Sequence, residues 1–222
     1  DTSSKATCET TGDHTLSVAK VDVFKIPIGY LDIKNTNIVN GTASGSLRTI
    51  KSAPENSDYK LGINAFAEGW GTTASGAASH AEGYFTAASS SSSHAEGYNT
   101  AASSSSSHAE GENTTASGYT SHAEGYFTAA LGSSSHAEGE STTASSSNSH
   151  AEGQYTTASG LHSHAEGQYT TASGEASHAE GHNTIASSNY QHVQGKYNIK
   201  DRNNIYADII GNGSSTSARS NA

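Results

Sequence analysis

The chain has no methionine, one cysteine, one tryptophan, four phenylalanines and two prolines in 222 residues, and only 32% of it is hydrophobic. A conventional globular core of that length would be starved of large apolar side chains. Cys8 has no partner within the chain, so internal disulfides are excluded and only an intermolecular bridge is left open. No run of about 18 apolar residues offers a membrane-spanning helix. No charged-then-apolar segment of the kind that directs export opens the chain, so neither membrane insertion nor an export signal is expected from it. The first residue is Asp1 rather than Met, as expected of a processed product or an excised fragment.

The most informative absence is that of cations. Between Leu61 and Gly195 there is not one Lys or Arg, against twelve Glu and eleven His. The flanks differ: residues 1–60 hold seven Lys/Arg and seven Asp/Glu, and residues 196–222 hold four and two. An acidic centre without basic side chains cannot track a phosphate backbone, so no nucleic-acid partner is expected.

What fills the chain instead is Ser, Gly, Thr and Ala, in a fixed period. The pentapeptide Ser-His-Ala-Glu-Gly places His80, His94, His108, His122, His136, His150, His164, His178 and His192 at intervals of 14, with Phe66 in the same slot one unit earlier. The Gly three places on recurs in ten units from Gly69 to Gly195, and Glu precedes it in nine, from Glu68 to Glu180, before Gln194 breaks the series. Each unit also carries a Thr, from Thr72 to Thr184, and an Ala two residues later, from Ala74 to Ala186. Fourteen residues are too few for a helical hairpin and the composition is poor helix material. The period predicts an all-β fold, a parallel β-roll or solenoid of about ten coils, each with two strands of four or five residues joined by tight turns. Coils stacked about 4.8 Å apart would span on the order of 45–50 Å.

Alternation along a strand assigns the faces. In a narrow roll only small groups fit inside, so Ala81 and its equivalents and the Thr86 and Ala88 types point inward, and His and Glu point outward. Stacking glutamates in register without Lys or Arg costs repulsion at every coil. The counter-charge within reach is His, in the same coil or the next. Near-identity of the copies suggests a packed environment, so the stripes His80, Glu82, His94, Glu96, His108, Glu110, His122, Glu124, His136, Glu138, His150, Glu152, His164, Glu166, His178 and Glu180 are expected to meet those of other chains along an oligomer axis; an exposed polar ladder is the alternative. Protonated His in this role would have a raised pKa and give a stability optimum in mild acid, whereas neutral, hydrogen-bonding His would have a lowered one.

Three kinds of chemistry can be weighed. His-x-Glu supplies zinc-type ligands and proton-transfer groups, but a catalytic site is singular and this pair recurs. Structural pairing therefore ranks ahead of a metal ladder, and catalysis last; no metal or cofactor is expected, and His162 with His164 is the pair most prone to adventitious metal. A glycosidase needs two unique carboxylates, for which Glu112, Glu140 and Glu175 are the only non-repeat acids of the shaft, read as surface variation. No enzyme activity is expected. The two positions after each repeat Gly carry Trp70, Tyr84, Phe85, Tyr98, Tyr126, Phe127, Tyr155, Tyr169 and Tyr197. This aromatic corner can stack on sugar rings or contact a surface protein, or it is a ladder that stabilises neighbouring coils. Ice binding by Thr ranks below both, because the Thr72 type faces inward.

The pattern Ser-His-Ala-Glu-Gly-x-x-Thr-x-Ala-Ser-Gly resembles the head repeats of trimeric autotransporter adhesins, which implies a left-handed parallel roll and a homotrimer over about residues 62–200. His and Glu stand where those adhesins carry an apolar pair. Gly45-Ser-Leu-Arg-Thr-Ile50, Tyr190-Gln-His-Val-Gln-Gly195, Tyr206-Ala-Asp-Ile-Ile-Gly-Asn-Gly213 and Ala218-Arg-Ser-Asn-Ala222 resemble phage and prophage tail-fibre or minor structural proteins of gut Firmicutes. That resemblance implies the shaft of a virion tail fibre or receptor-binding protein, with other tail proteins and a host-surface glycan or protein receptor as partners; a bacterial cell-surface adhesin is the alternative. Three segments follow. Residues 1–60 are an N-terminal β cap or attachment module, with strands expected over Thr15–Phe24 and Ile26–Ile33. Residues 61–199 are the repeat shaft. Residues 200–222 are a C-terminal cap or the start of a following segment, the return of large residues in Val193, Tyr197, Ile199, Ile205, Ile209 and Ile210 marking the closure.

Overall fold

The computed structural model describes residues 61–201, 203 and 205–222, together with the backbone of the strand Leu47–Thr49. The strands expected over Thr15–Phe24 and Ile26–Ile33 lie outside the described residues. Each 14-residue unit makes one coil of a parallel β-solenoid. Its first strand is His-Ala-Glu-Gly plus one residue, as in His80–Tyr84, and its second is short, as in Ala87–Ala88. Among the described residues the first strands stack into a twelve-stranded parallel sheet that takes in Leu47–Thr49 at one edge and Asp208–Asn212 at the other; the second strands form a nine-stranded sheet. No helix occurs among them. From Phe66 to His192 the register holds at 14: His122 sits beside His136, Ala123 beside Ala137 and Glu124 beside Glu138.

The all-β solenoid is the one the period predicts, with one correction. The second strand is two residues long rather than four or five. The cause is the turns, each of which places a residue in the left-handed region, a non-glycine in every case but Gly71, as with Phe85 at φ 55° and Ser92 at φ 55° in one coil. Such a residue reverses the chain within a step or two but cannot belong to an extended ladder. Two of them per coil leave little of the 14 residues for a second strand.

Inside the roll stand columns of small side chains. Ala81, Thr86 and Ala88 and their equivalents are fully buried, as alternation requires, and so are Ser79 and its equivalents. Alternation also implies the Ser column, since Ser and Ala flank the outward His. Its hydroxyl is accommodated because it closes the turn, Ser79 Oγ donating to the Gly76 carbonyl at 2.7 Å and Ser135 Oγ to that of Gly132 at 2.6 Å. The threonines are less well served. Thr184 Oγ1 donates to the Glu180 carbonyl at 3.0 Å, but the buried hydroxyls of Thr86, Thr100, Thr114, Thr128, Thr142, Thr156 and Thr170 have no hydrogen-bond partner. Their methyl groups fill the interior; their oxygens weaken it.

The repeat Gly is dictated by the next coil. Gly125 has φ +108°, and a Cβ there would stand 2.2 Å from the Gly139 carbonyl oxygen. Both the backbone and the space forbid a side chain. A Cβ at Gly118 would also crowd its neighbour, at 1.8 Å from the Gly132 oxygen, but its φ is not in the left-handed region. Ser90, Ser104, Ser146 and Ser188 occupy that slot in other coils. There the backbone yields, and Ser90 N–H then donates to Ser93 Oγ at 3.2 Å.

The last coil is plugged by larger side chains that imitate a further one. Gln191, Val193 and Asn198 replace the Ser, Ala and Thr of the repeat and are fully buried. In ordinary coils Thr73 N–H donates to the Thr86 carbonyl of the next coil; at the end Ile185 N–H donates to Asn198 Oδ1 at 2.7 Å and the Ile185 carbonyl accepts from Asn198 Nδ2 at 3.0 Å. Gln191 Oε1 accepts from Ser187 N–H at 3.0 Å, and the Asp201 carboxylate collects the N–H groups of Asn203, Ile205 and Tyr206. The Tyr206 N–H first, then those of Asn203 and Ile205, hold that carboxyl below its ordinary range against the opposing effect of burial. Of the large apolar residues expected to close the roll, Val193 and Ile209 are buried, whereas Ile199, Ile205 and Ile210 are exposed. The closure is polar because its task is to satisfy free backbone groups.

Gly125→Ala is expected to cost roughly 3 kcal/mol and Gly118→Ser to stay within about 1 kcal/mol of wild type, read from urea unfolding. Thr128→Val, which keeps the shape and removes the unpaired hydroxyl, is expected to leave the melting temperature unchanged or raise it.

Candidate functional site

The outward face of the larger sheet carries two parallel columns. In one, the imidazoles stack face to face: His94 on His108 and His108 on His122 have ring centroids 4.7 Å apart and planes within 1°. The stack begins on the tilted ring of Phe66, 5.2 Å from His80, and ends at His192. The other column is glutamate. From His108 onward each Nε2 faces the carboxylate of the preceding coil, at 3.5 Å for His108 and Glu96, 3.1 Å for His122 and Glu110, and 3.3 Å for His150 and Glu138. His80 and His94 instead lie 3.9 and 4.0 Å from Glu82 and Glu96 of their own coils. All the His and Glu residues assigned from the sequence to an oligomer axis are thus on one face, each side chain about one-third exposed.

The electrostatics of this face differ from the mild-acid expectation. Burial, followed by the repulsion of the rings above and below, holds His94, His136 and His164 below the ordinary imidazole value of 6.5. Neighbouring glutamates pull the other way and lose. Protonating one ring of a stack places its charge against two others, so neutral rings are favoured. The glutamates then divide protons among themselves. Hydrogen bonding to Glu166, then burial and Glu138, pushes Glu152 up to about 7. Burial raises Glu138, but hydrogen bonds with Glu152 and Glu124 outweigh it and the net shift is downward; Glu166 is lowered first by its hydrogen bond with Glu152. A protonated carboxyl between two carboxylates answers part of the like-charge problem that the absence of Lys and Arg creates.

The aromatic corner is also a defined surface. Trp70, Tyr84, Phe85, Tyr98, Tyr126, Phe127, Tyr155 and Tyr169 are all exposed, between 37% and 51%. Tyr84 stacks on Tyr98 at 5.4 Å and Tyr155 on Tyr169 at 4.9 Å, while Phe85 and Phe127 meet Tyr84 and Tyr126 edge to face. Tyr197 is turned to His182, whose Nε2 lies 2.9 Å from the tyrosine hydroxyl. Amides run between the rings: Asn99 Nδ2 donates to Asn113 Oδ1 at 2.7 Å and Gln154 Nε2 to Glu140 Oε2 at 2.8 Å. The amide ladders, which the sequence reading did not single out, follow from stacking unlike residues at a period of 14.

The remaining candidates are separated. Glu112 and Glu140 lie on the aromatic corner two coils apart and Glu175 at the opposite turn, so the three do not form one carboxylate pair. His162 occupies a left-handed turn position at φ 57°, exposed, and His164 groups with Glu152 and His150 and with Glu166 and His178.

The sequence model of the YadA head domain repeat (2 copies) matches residues 109–135, 123–145 and 165–187. Match and solenoid together fit a relation to the head repeats of trimeric autotransporter adhesins. No curated protein matches the chain.

The pH dependence follows from the signs. For His94, His136 and His164 the folded values are lowered, so their contribution is full above 6.5 and is lost as pH falls through the folded values. Glu138 and Glu166 contribute fully above 4.5 and lose it as pH falls further. Glu152 is raised, so its contribution is full below 4.5 and lost as pH rises through about 7. The histidines with Glu138 and Glu166 set the loss on the acid side and Glu152 the loss as pH rises through about 7, so melting temperatures measured from acid to alkaline buffer should fall in both directions. An NMR titration that placed His94, His136 and His164 above 6.5 would restore the protonated-His account.

Proposed function

We propose that this chain is the structural shaft of a homotrimeric attachment fibre of a phage tail, which holds or presents a surface that binds a host-cell glycan or protein. The observation that carries this reading is the uninterrupted stack of 14-residue coils, a spacer with no catalytic constellation among its described residues. In the trimer the His/Glu face of each chain packs toward the others, and the aromatic corner faces outward. Partly exposed, face-to-face imidazole stacks support the first assignment, since flat aromatic faces lose less on desolvation than a row of full charges. Exposed tyrosines interleaved with amide ladders support the second, because sugar rings take aromatic faces and amide hydrogen bonds together.

The second reading, a bacterial surface adhesin head, is favoured by the YadA head repeat match. The tail-fibre reading draws on the flanking segments Gly45–Ile50 and Tyr206–Gly213, which lie beyond the matched repeats.

Light scattering on the purified chain should give a mass of about 68 kDa, three times the 22.7 kDa chain; a mass of one chain would sink the trimer. Binding to bacterial cell-wall polysaccharide, weakened about tenfold by replacing Tyr98 and Tyr126 with Ala, is expected for the tail fibre. Binding to animal matrix proteins in its place would favour the adhesin.

A further inference from the structure

The glutamate column, Glu68 to Glu180, runs through a segment without Lys or Arg, and no side chain there except His can offset its charge. The same face brings metal-type donor atoms together again and again. His108, Glu110 and His122, then His122, Glu124 and His136, and so on to His164, Glu166 and His178, each place three donors within 4.8 Å of one another. The Nε2 to carboxylate separations of 3.1–3.5 Å match the edge of a tetrahedron whose metal–ligand bonds are about 2.0–2.2 Å long. The Nε2 atoms of His80 and His94 are sealed from solvent and make no hydrogen bond.

We propose that this face binds divalent transition-metal ions, one for every two coils, each held by the histidines of two successive coils and the glutamate of the first. Two imidazoles and one carboxylate suit zinc, nickel or copper and not the oxygen-seeking magnesium or calcium. Alternate filling follows from two independent facts. A neutral imidazole Nε2 has one lone pair and serves one ion, yet His122, His136, His150 and His164 each belong to two successive triads. Two nitrogens on one ion lie no more than about 4.2 Å apart, whereas the rings are spaced at 4.7 Å. A ligated pair must therefore close up, which widens the gap to the next ring. One divalent ion for two coils also equals the charge of two glutamates, so four ions match eight of the nine glutamates of the column. The ligands of each ion belong to one chain, and the proposal holds whatever number of chains associate.

Counting gives the test. Nine histidines in a row, paired with neighbours, hold about four ions and leave one ring over. Removing His136, fifth in the row, leaves two runs of four and costs no ion; removing His122, fourth in the row, leaves runs of three and five and costs one. Zinc chloride is titrated calorimetrically into the purified full chain, with elemental analysis after dialysis, for wild type, His136→Gln and His122→Gln. The expected plateaus are about four, four and three zinc ions per chain, with no uptake of magnesium. Fewer than one zinc per wild-type chain, about eight per chain, or equal losses in the two variants would overturn the proposal. Zinc-free melts check each variant, and His108→Gln against His150→Gln repeats the contrast, four against three, if either of the first pair fails to fold.

Discussion

Within the repeats each strand residue pairs with the one 14 positions later through the backbone hydrogen bonds of a parallel ladder, and this single contact rules the rest of the chain. A carbonyl oxygen directly over each repeat Gly admits no Cβ, which is why Gly69 to Gly195 tolerate no replacement across ten units. Thin coils leave room inside for Ala, Ser and Thr, larger side chains entering only at the closing coil with Gln191, Val193 and Asn198. Large apolar residues are scarce because there is nowhere to bury them, and the order of the fold comes from backbone ladders and from the packing of small groups.

The same contact makes charge a collective matter. A charged side chain in a 14-residue repeat meets copies of itself on both sides, so the ordinary remedy of one opposite partner is replaced by a column-wide one. Here His and Glu are offset by one coil, so that each carboxylate of the pairs from His108 onward faces a ring of the next unit and no coil is electrostatically complete by itself. Within the stack His94, His136 and His164 resist protonation, and Glu152, between two other carboxyls, is pushed up to about 7.

Much of this was legible in the residues. Period and alternation suffice to place Ala81, Thr86 and Ala88 inside and His80 and Glu82 outside, and the structure has them there. What escaped was set by interactions that a single unit does not display. The two-residue second strand follows from left-handed Phe85 and Ser92, residue types that give no sign of that conformation. The lowered His136 value depends on the rings on either side of it, where pairwise reasoning about one His and one Glu points the opposite way. At the closing coil, a return of isoleucines reads as an apolar plug, but Gln191, Asn198 and Asp201 do the closing because what the last coil lacks is hydrogen-bond partners.

That closing arrangement touches only the coil beneath it. Asn198 answers Ile185, and Gln191 answers Ser187, whatever number of identical turns precede them. The closure is therefore independent of the count before it, and a gene that gains or loses 42 nucleotides, the coding length of one 14-residue unit, resets the length of the stack by one step while leaving that closure intact. The solenoid is a ruler whose graduations are written in the DNA.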